Sequence, residues 1–402
     1  MTAANTKTQY GLVAKLFHWL TAIGILLVIP LGIIANDLPY DTPDQLANKA
    51  WLFSLHKTIG ITVFIVALAR IAWALNQPKP AALHQDRKAE TLLASIVHWL
   101  LYGSLVFVPL SGWIHHAATE GFAPIWWPLG QNLPLVPESV ALADAAAGLH
   151  VVFERVLIVS LLLHIAGAAK HTFIDHDGTL ARMWFGKSRS ADAPQPAPSS
   201  RHGVSAALAI LVWSIAIGLG GLLGVYQKGS VAADVTLQEV DSEWNVQDGA
   251  IGITVKQLGA DVRGEFGTWT AQIAFDESVT DGKAGDVTVE IAIASLSLGS
   301  VTAQALGADY FNADAFPTAV FAADILVSDA GYVADGVLSL RGVEQPISLP
   351  FALALDGDTA TIEGATMLNR QSYGIGDSMT DESQLAFEVF VNVELTATRA
   401  LN

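Results

Sequence analysis

Five long apolar stretches occupy the first half of the 402-residue chain, and few charged side chains interrupt them. A helix needs about 20 apolar residues to cross a bilayer, and each stretch reaches that length. No convincing small-x-small cleavage pattern follows the first stretch, so we interpret it as a retained span rather than a secretory signal. We therefore predict five transmembrane helices with these approximate bounds: Leu16–Ala35, Leu52–Leu75, Leu92–Ala117, Ala146–Ala169 and Val204–Tyr226.

From about Asp234 onward the hydrophobic pattern changes to alternation. The runs "DVTVEIAIASLSL" and "LAFEVFVNVEL" carry apolar residues at every second position, which is typical of strands with one buried face. The run "VLSLRGVEQPISLPFALAL" predicts two strands around a turn at Gly342. About eight strands separated by turn residues indicate an antiparallel barrel or sandwich. A barrel of that size holds one small apolar ligand or is filled by its own side chains.

Together the two patterns predict a multidomain membrane protein, with an all-α transmembrane bundle followed by an all-β domain. We assign residues 10–186 to a four-helix transmembrane domain and residues 204–226 to a fifth transmembrane helix. Residues 187–203, which include "ADAPQPAPSS", form a Pro/Ala/Ser-rich cytoplasmic linker between them. Residues 234–399 form the β-domain.

Charge is divided unevenly between the two halves. Residues 1–227 carry 14 basic and 12 acidic side chains, whereas residues 228–402 carry 7 and 26. The basic residues of the first half gather before span 1, between spans 2 and 3 and between spans 4 and 5, which places the N-terminus in the cytoplasm and the β-domain on the outer side of the membrane. Such an acidic domain is a poor partner for nucleic acid.

The chain has no cysteine, which excludes disulfides, iron–sulfur clusters and covalently attached c-type haem. It does carry histidines inside the predicted spans, where ionisable side chains are costly and usually functional. His18 and His164 are expected at one depth of the bundle, and His56 and His150 at another. Two stacked pairs of imidazoles inside a four-helix bundle would each hold one haem b, with both axial positions of the iron filled.

Two other interpretations of these histidines remain open. The imidazoles could be structural, buried in neutral form against polar neighbours. A bare metal site is less favoured, because three or four ligands do not gather at one depth. His98, near the start of span 3, has no obvious partner, and we do not assign it as a ligand.

Residues 10–186 resemble a bacterial cytochrome b561 of the superoxide-oxidase-like type. The resemblance rests on "HW" at the start of spans 1 and 3, on "LHKTIG" in span 2, and on His150 and His164 followed by His171 seven residues later. It implies two haems, with the same pairs as ligands: His18/His164 and His56/His150. It also implies a ubiquinone site at the cytoplasmic side, with His171 and Lys79 as candidates, although both side chains could simply reach from the membrane interface to water.

Residues 240–398 resemble a YceI-type domain, a lipocalin-like barrel that binds polyisoprenoids. The matching runs are "VKQLGADVRGEFGTW", "ALGADYFNADAFPTAVFAA", "GVLSLRGVEQPISLPF" and "MLNRQSYGIGDS". One departure is Gln257, which stands where the family often has histidine. Histidine is absent after His202, which argues for binding rather than hydrolysis. The candidate pocket lining is aromatic: Phe266, Trp269, Phe275, Phe311, Phe316 and Phe321.

These observations predict an inner-membrane dihaem b-type cytochrome that transfers electrons between the quinone pool and the periplasm, with superoxide to ubiquinone as one reaction of this kind. Its partners would be membrane lipids, quinone, an isoprenoid lipid in the barrel and an unknown periplasmic electron donor or acceptor. Two alternatives stay open. The protein could oxidise quinol and reduce a periplasmic acceptor, or it could be a membrane-anchored isoprenoid carrier or sensor.

Overall fold

The computed structural model describes residues 2–80, 83–84, 86–119, 122–128, 130–185, 202–226, 237, 242–328 and 331–400. Contacts between Cα atoms divide the chain into two compact units, which we describe separately. The helical unit comprises Met1–Asp37, Trp51–Ala118 and Ile125–Lys228, and the β unit comprises Leu38–Ala50, Thr119–Pro124 and Gly229–Asn402. Most of the predicted linker, residues 187–201, lies outside the described residues.

Within the described residues, five helices are long and apolar enough to cross a membrane, as the sequence predicts. Serine and threonine side chains lie fully buried along them, among them Ser104 and Ser160. Small side chains at such positions let helix backbones approach closely in a membrane protein. The helices are α1 (Leu12–Asp37), α2 (Pro43–Leu75), α3 (Lys88–Ala117), α4 (Val140–Phe173), the short α5 (Thr179–Met183) and α6 (His202–Leu222).

Helix α6 packs against α3 and α4. The indole of Trp213 lies directly on Gly103, where a Cβ atom would stand 1.6 Å from the ring. The same indole contacts Phe107, with ring centroids 4.7 Å apart, and Phe153 at 6.2 Å. Helix α6, the fifth of the long apolar helices, therefore packs on the bundle through one large side chain. The absence of a side chain at Gly103 leaves the space for the indole.

The β unit contains one antiparallel sheet of ten strands, which curls so that its inner face encloses an apolar core. Along the sheet the order is β3-β4-β6-β7-β8-β9-β10-β1-β2-β5. A five-residue helix, α7 (Thr302–Leu306), precedes β6. The strands are β1 (Trp244–Gln257), β2 (Ala260–Phe266), β3 (Trp269–Phe275), β4 (Lys283–Ala292), β5 (Leu296–Ser297), β6 (Thr318–Ser328), β7 (Gly331–Leu340), β8 (Val343–Asp356), β9 (Thr359–Asn369) and β10 (Leu385–Arg399).

The expected count of about eight strands was too low. Trp244 and Ile251, which begin separate alternating runs in the sequence, belong to one strand, β1, whose pairing with β10 shifts register between Val246 and Asp248 and again between Val255 and Gln257. The region around Phe266 instead forms two strands, because the chain turns between β2 and β3 at Gly267 and Thr268. Alternating apolar and polar residues predict a strand with one buried face, but the alternation does not reveal a bulge within a strand or a two-residue break between strands.

Candidate functional sites

The imidazoles of His56 and His150 are each held by a backbone carbonyl of a neighbouring helix. Nδ1 of His56 lies 2.8 Å from the carbonyl oxygen of Val28 in α1, and Nδ1 of His150 lies 2.8 Å from that of Val108 in α3. A carbonyl only accepts hydrogen bonds, so Nδ1 carries the proton in both rings. The second nitrogen, Nε2, then keeps its lone pair free for a metal.

Glycine makes room for both rings. Gly32 and Gly112 each follow the accepting carbonyl by four residues, one helical turn further on. A Cβ atom at Gly32 would lie 2.6 Å from the His56 ring, and one at Gly112 would lie 2.9 Å from the His150 ring. A methyl group at either position would therefore displace an imidazole.

His18 and His164 face each other, with ring centroids 6.2 Å apart and planes inclined by 57°. With metal–nitrogen bonds of about 2 Å, two imidazoles that share one metal have centroids about 6 Å apart. His98 stands edge-on to His164 at 5.2 Å, as a third imidazole at this level. This spacing fits one bis-histidine haem, and the orientation of His56 and His150 fits another.

His171 lies in a cluster of polar side chains at the end of α4. Its Nδ1 lies 2.7 Å from Oδ2 of Asp177 and 3.1 Å from Oδ2 of Asp175. The ring stacks on His84, with planes 6° apart, and His84 Nε2 is 2.8 Å from the same Asp177 oxygen. Lys79 is exposed on the segment after α2. Sequence reasoning missed His84 and the two aspartates, although "HTFIDHD" contains both carboxylates within six residues of His171.

Asp177 is ionised in this cluster. Burial alone would raise the pKa of its carboxyl group, but hydrogen bonds from Thr179, His84 and His171 outweigh that effect and lower the pKa to about 2. An imidazole with a carboxylate on Nδ1 is oriented to exchange a proton through Nε2. The donor atoms of His84, His171 and Asp177 also lie within 4.8 Å of one another, close enough for a divalent cation to bridge them.

The curled sheet encloses a cavity of about 250 Å³ with an almost wholly apolar lining. Of the six candidate residues, Phe266, Trp269, Phe311 and Phe321 line it. Phe275 and Phe316 do not. Phe275 is the last residue of β3, beyond the enclosed part, and its ring contacts Tyr332. Phe316 precedes β6 and lies beside Gly342 in the β7–β8 turn.

Membrane-crossing helices that hold facing imidazoles, in a chain without cysteine, define a membrane cytochrome with non-covalent, b-type haem. The sequence matches the family described as prokaryotic cytochrome b561 over residues 9–186 and the YceI-like domain over residues 232–397. The chain belongs to the cytochrome b561 family and carries a YceI-like domain after it. It is therefore an integral membrane protein, and the family implies haem b as its cofactor.

Curated relatives match the helical half. Cytochrome b561 homolog 2 of Escherichia coli is 34% identical over 194 residues, which are 47% of this chain and 98% of that protein. The probable superoxide oxidase CybB of Yersinia pestis is 25% identical, over 41% of this chain and 90% of that protein.

Solved structures match the β half. BcnA of Burkholderia cenocepacia is 29% identical, covering 37% of this chain and 96% of that one, with a TM-score of 0.34. The YCEI protein of Campylobacter jejuni is 19% identical, covering 42% of this chain and 94% of that one, with a TM-score of 0.31.

Proposed function

We propose that this protein is a dihaem cytochrome of the bacterial inner membrane that moves electrons between the quinone pool and the periplasm. The observation that supports this proposal is the facing pair His18 and His164, with ring centroids 6.2 Å apart, beside His56 and His150, whose rings are each held through Nδ1. Haem supplies the one-electron chemistry when bound, and a site with two imidazole ligands favours electron transfer over oxygen binding. The loop charges of the sequence support a cytoplasmic N-terminus and a periplasmic β-domain.

Haem content tests the ligand pairs. Single alanine variants should each lose about half of the b-type haem, measured as the pyridine haemochrome, because each removes one axial ligand from one of the two haems. The variants are His18→Ala, His164→Ala, His56→Ala and His150→Ala. His176→Ala is the matched control, since this histidine is exposed and lies beside the His171 cluster rather than between helices. Full haem content in any ligand variant would contradict that assignment.

The His171 cluster supports a quinone site on the same side as His18 and His164. Reducing a quinone requires protons as well as electrons, and His171 with Asp177 forms a hydrogen-bonded pair that can deliver a proton at Nε2. Lys79, an exposed residue five positions before His84 in the sequence, is the second candidate for this site. Electron transfer to a short-chain ubiquinone should fall in His171→Ala without loss of haem, and full activity in that variant would remove His171 from the proposal.

The direction of electron flow can be measured with the purified full-length protein. We favour superoxide as the periplasmic donor and ubiquinone as the acceptor, in line with the name of the Yersinia pestis relative, a probable superoxide oxidase. Stopped-flow mixing with superoxide should then reduce the haems faster than mixing with ubiquinol. The reverse order of rates would support the alternative, in which quinol reduces a periplasmic acceptor.

We also propose that the YceI-like domain holds an isoprenoid lipid, of which quinone is one example. The observation behind this is the enclosed apolar cavity of about 250 Å³. Lipid extraction and mass spectrometry of the full-length protein should recover an isoprenoid, and Phe321→Asp, which places a charge in the lining, should reduce its amount. Equal recovery from the variant would place the lipid elsewhere.

A further inference from the structure

Three side chains from three segments of the helical unit meet at one point near the end of α4. Nε2 of His84, in the segment between α2 and α3, lies 2.8 Å from Oδ2 of Asp177, in the segment between α4 and α5. Nδ1 of His171, in the last turn of α4, lies 2.7 Å from the same oxygen. Two imidazole nitrogens and one carboxylate oxygen therefore converge, all within 4.8 Å of one another.

This set of donor atoms suits a divalent cation of the zinc type. Two imidazoles and one carboxylate, with a fourth position open to water, are a common ligand set for zinc, whereas calcium and magnesium prefer oxygen ligands. Ligands bound at about 2.0–2.1 Å to a tetrahedral metal lie about 3.3 Å from one another. Each imidazole nitrogen would have to move only about half an ångström away from the Asp177 oxygen to admit the metal.

Neighbouring groups orient these side chains and leave the converging atoms accessible. The backbone N–H of Thr179 donates to Oδ1 of Asp177 at 2.8 Å, which leaves Oδ2 to the imidazoles. The hydroxyl of Thr91 in α3 donates to the backbone oxygen of His84 at 3.2 Å. Outer hydrogen bonds of this kind orient metal ligands. The side chains of His84 and His171 are 31% and 24% exposed, so an ion from solution can reach the site.

The two aspartates of this cluster differ in the charges that face them. The carboxylate of Asp175 pairs with Lys170 at 2.9 Å and with Arg87 at 3.0 Å, and both partners carry a permanent positive charge. Asp177 instead bridges two imidazoles, whose charge depends on protonation. When both rings are neutral, a dication at Asp177 has a negative charge to balance it, which makes Asp177 the better ligand.

We propose that His84, His171 and Asp177 bind a divalent cation of the zinc type, and that the bound cation stops His171 from delivering a proton to quinone. The first part stands on the geometry of the three side chains. The second part rests on the proposed quinone site and adds a form of regulation to it.

The position of the ring protons explains the inhibition. Without the cation, the His171 ring takes up a proton at Nε2, passes it to an oxygen of the quinone and keeps its other proton on Nδ1, shared with Asp177. The cation occupies Nδ1 and replaces that hydrogen bond. The ring then holds a single proton, on Nε2, and giving it up would leave an imidazolate, which is an unfavourable product at neutral pH.

Zinc binding to the untagged, haem-loaded, full-length protein tests the site. Equilibrium dialysis against radioactive zinc should find one bound ion, and His84→Ala and Asp177→Asn should each weaken its binding by at least about tenfold because each removes one ligand. His176→Asn is the matched control, since it removes an exposed imidazole from the segment that carries Asp177, and asparagine tolerates the positive φ of 51° at this position. Haem spectra verify that each variant is folded. Wild-type affinity in both ligand variants would overturn the site.

The ratio of quinone-reduction rates with and without zinc tests the inhibition. Saturating zinc should slow electron transfer from the reduced haems to a short-chain ubiquinone by at least about tenfold in the wild-type protein. The same zinc concentration should leave the rate of His84→Ala nearly unchanged. Equal slowing in that variant, or an unchanged wild-type rate with zinc bound, would overturn the inhibition. Full quinone reduction by His171→Ala would instead overturn the quinone site, whereas the dialysis result would still stand.

Discussion

The helical unit and the β unit use opposite arrangements of backbone carbonyls and polar side chains in an apolar interior. In the helices, the carbonyls of Val28 and Val108 accept hydrogen bonds from His56 and His150, so the backbone orients the side chain. In the β unit, Arg370 donates all five of its hydrogen bonds to backbone carbonyls, so the side chain serves the backbone.

The two units differ in this way because their backbone carbonyls are hydrogen-bonded differently. A transmembrane helix satisfies its own carbonyls, and a second hydrogen bond to one of them is available to position a ligand. The segments that close one end of the curled sheet, residues 370–385, lack such a ladder, and their carbonyls need a donor. The backbone therefore orients the side chain at His56 and His150, whereas the side chain meets a requirement of the backbone at Arg370.

The largest expected effect is on the β unit. Arg370→Leu removes five hydrogen bonds to backbone carbonyls, although the Gly376 carbonyl keeps the N–H of Met379 as a donor. We expect a loss of more than about 3 kcal/mol of stability, enough to unfold the unit at moderate temperature. The haem spectrum should not change. The matched control is Lys256→Gln, which also removes a positive charge but at an exposed position of β1. Thermal unfolding of the full-length protein measures the effect, and equal melting temperatures would show that the carbonyls do not depend on Arg370.

Glycine substitutions test the helical side of the comparison. Gly32→Ala and Gly112→Ala should each cost most of one haem of the two, because the added methyl group overlaps the ring of His56 or His150. Gly167→Ala, with no described atom within 4 Å of the new Cβ, should keep both haems. The pyridine haemochrome assay measures this directly. Unchanged haem content in all three variants would mean that the bundle adjusts and that these glycines do not shape the site.

Helix α6 should contribute to stability without affecting the haems. Trp213→Ala removes the indole from its place against Gly103 and should destabilise the helical unit by about 1–3 kcal/mol, while haem content stays the same. Leu211→Ala, at an exposed position of the same helix, is the control and should have little effect. A loss of haem in Trp213→Ala would show that α6 belongs to the redox core.

The smallest expected effect concerns His98. His98→Phe keeps a ring edge-on to His164 but removes the polar nitrogens, so both haems should remain and only the midpoint potential of the haem at His18/His164 should shift. A potentiometric titration followed by absorbance measures the shift. Loss of that haem would instead identify His98 as one of its ligands.

Much of the architecture could be predicted from the sequence because it depends on periodicity and length. Five apolar stretches became five helices, and the alternating runs after Asp234 became strands. The chemical identity of the imidazoles and the absence of cysteine restricted haem to the non-covalent type. The two family resemblances also hold. Periodicity, length and residue type are properties of each segment alone, so they do not depend on how the segments pack.

Contacts between distant segments required the tertiary structure. The carbonyls that orient His56 and His150 lie 28 and 42 residues away, and His84 meets Asp177 across 93 residues. Phe275 and Phe316 are excluded from the cavity although they look like the aromatic residues that line it. The sequence by itself determined which groups are buried and what chemistry they carry. Only packing decided which of them have partners, because a hydrogen bond depends on distances and angles between chain segments that no local pattern records.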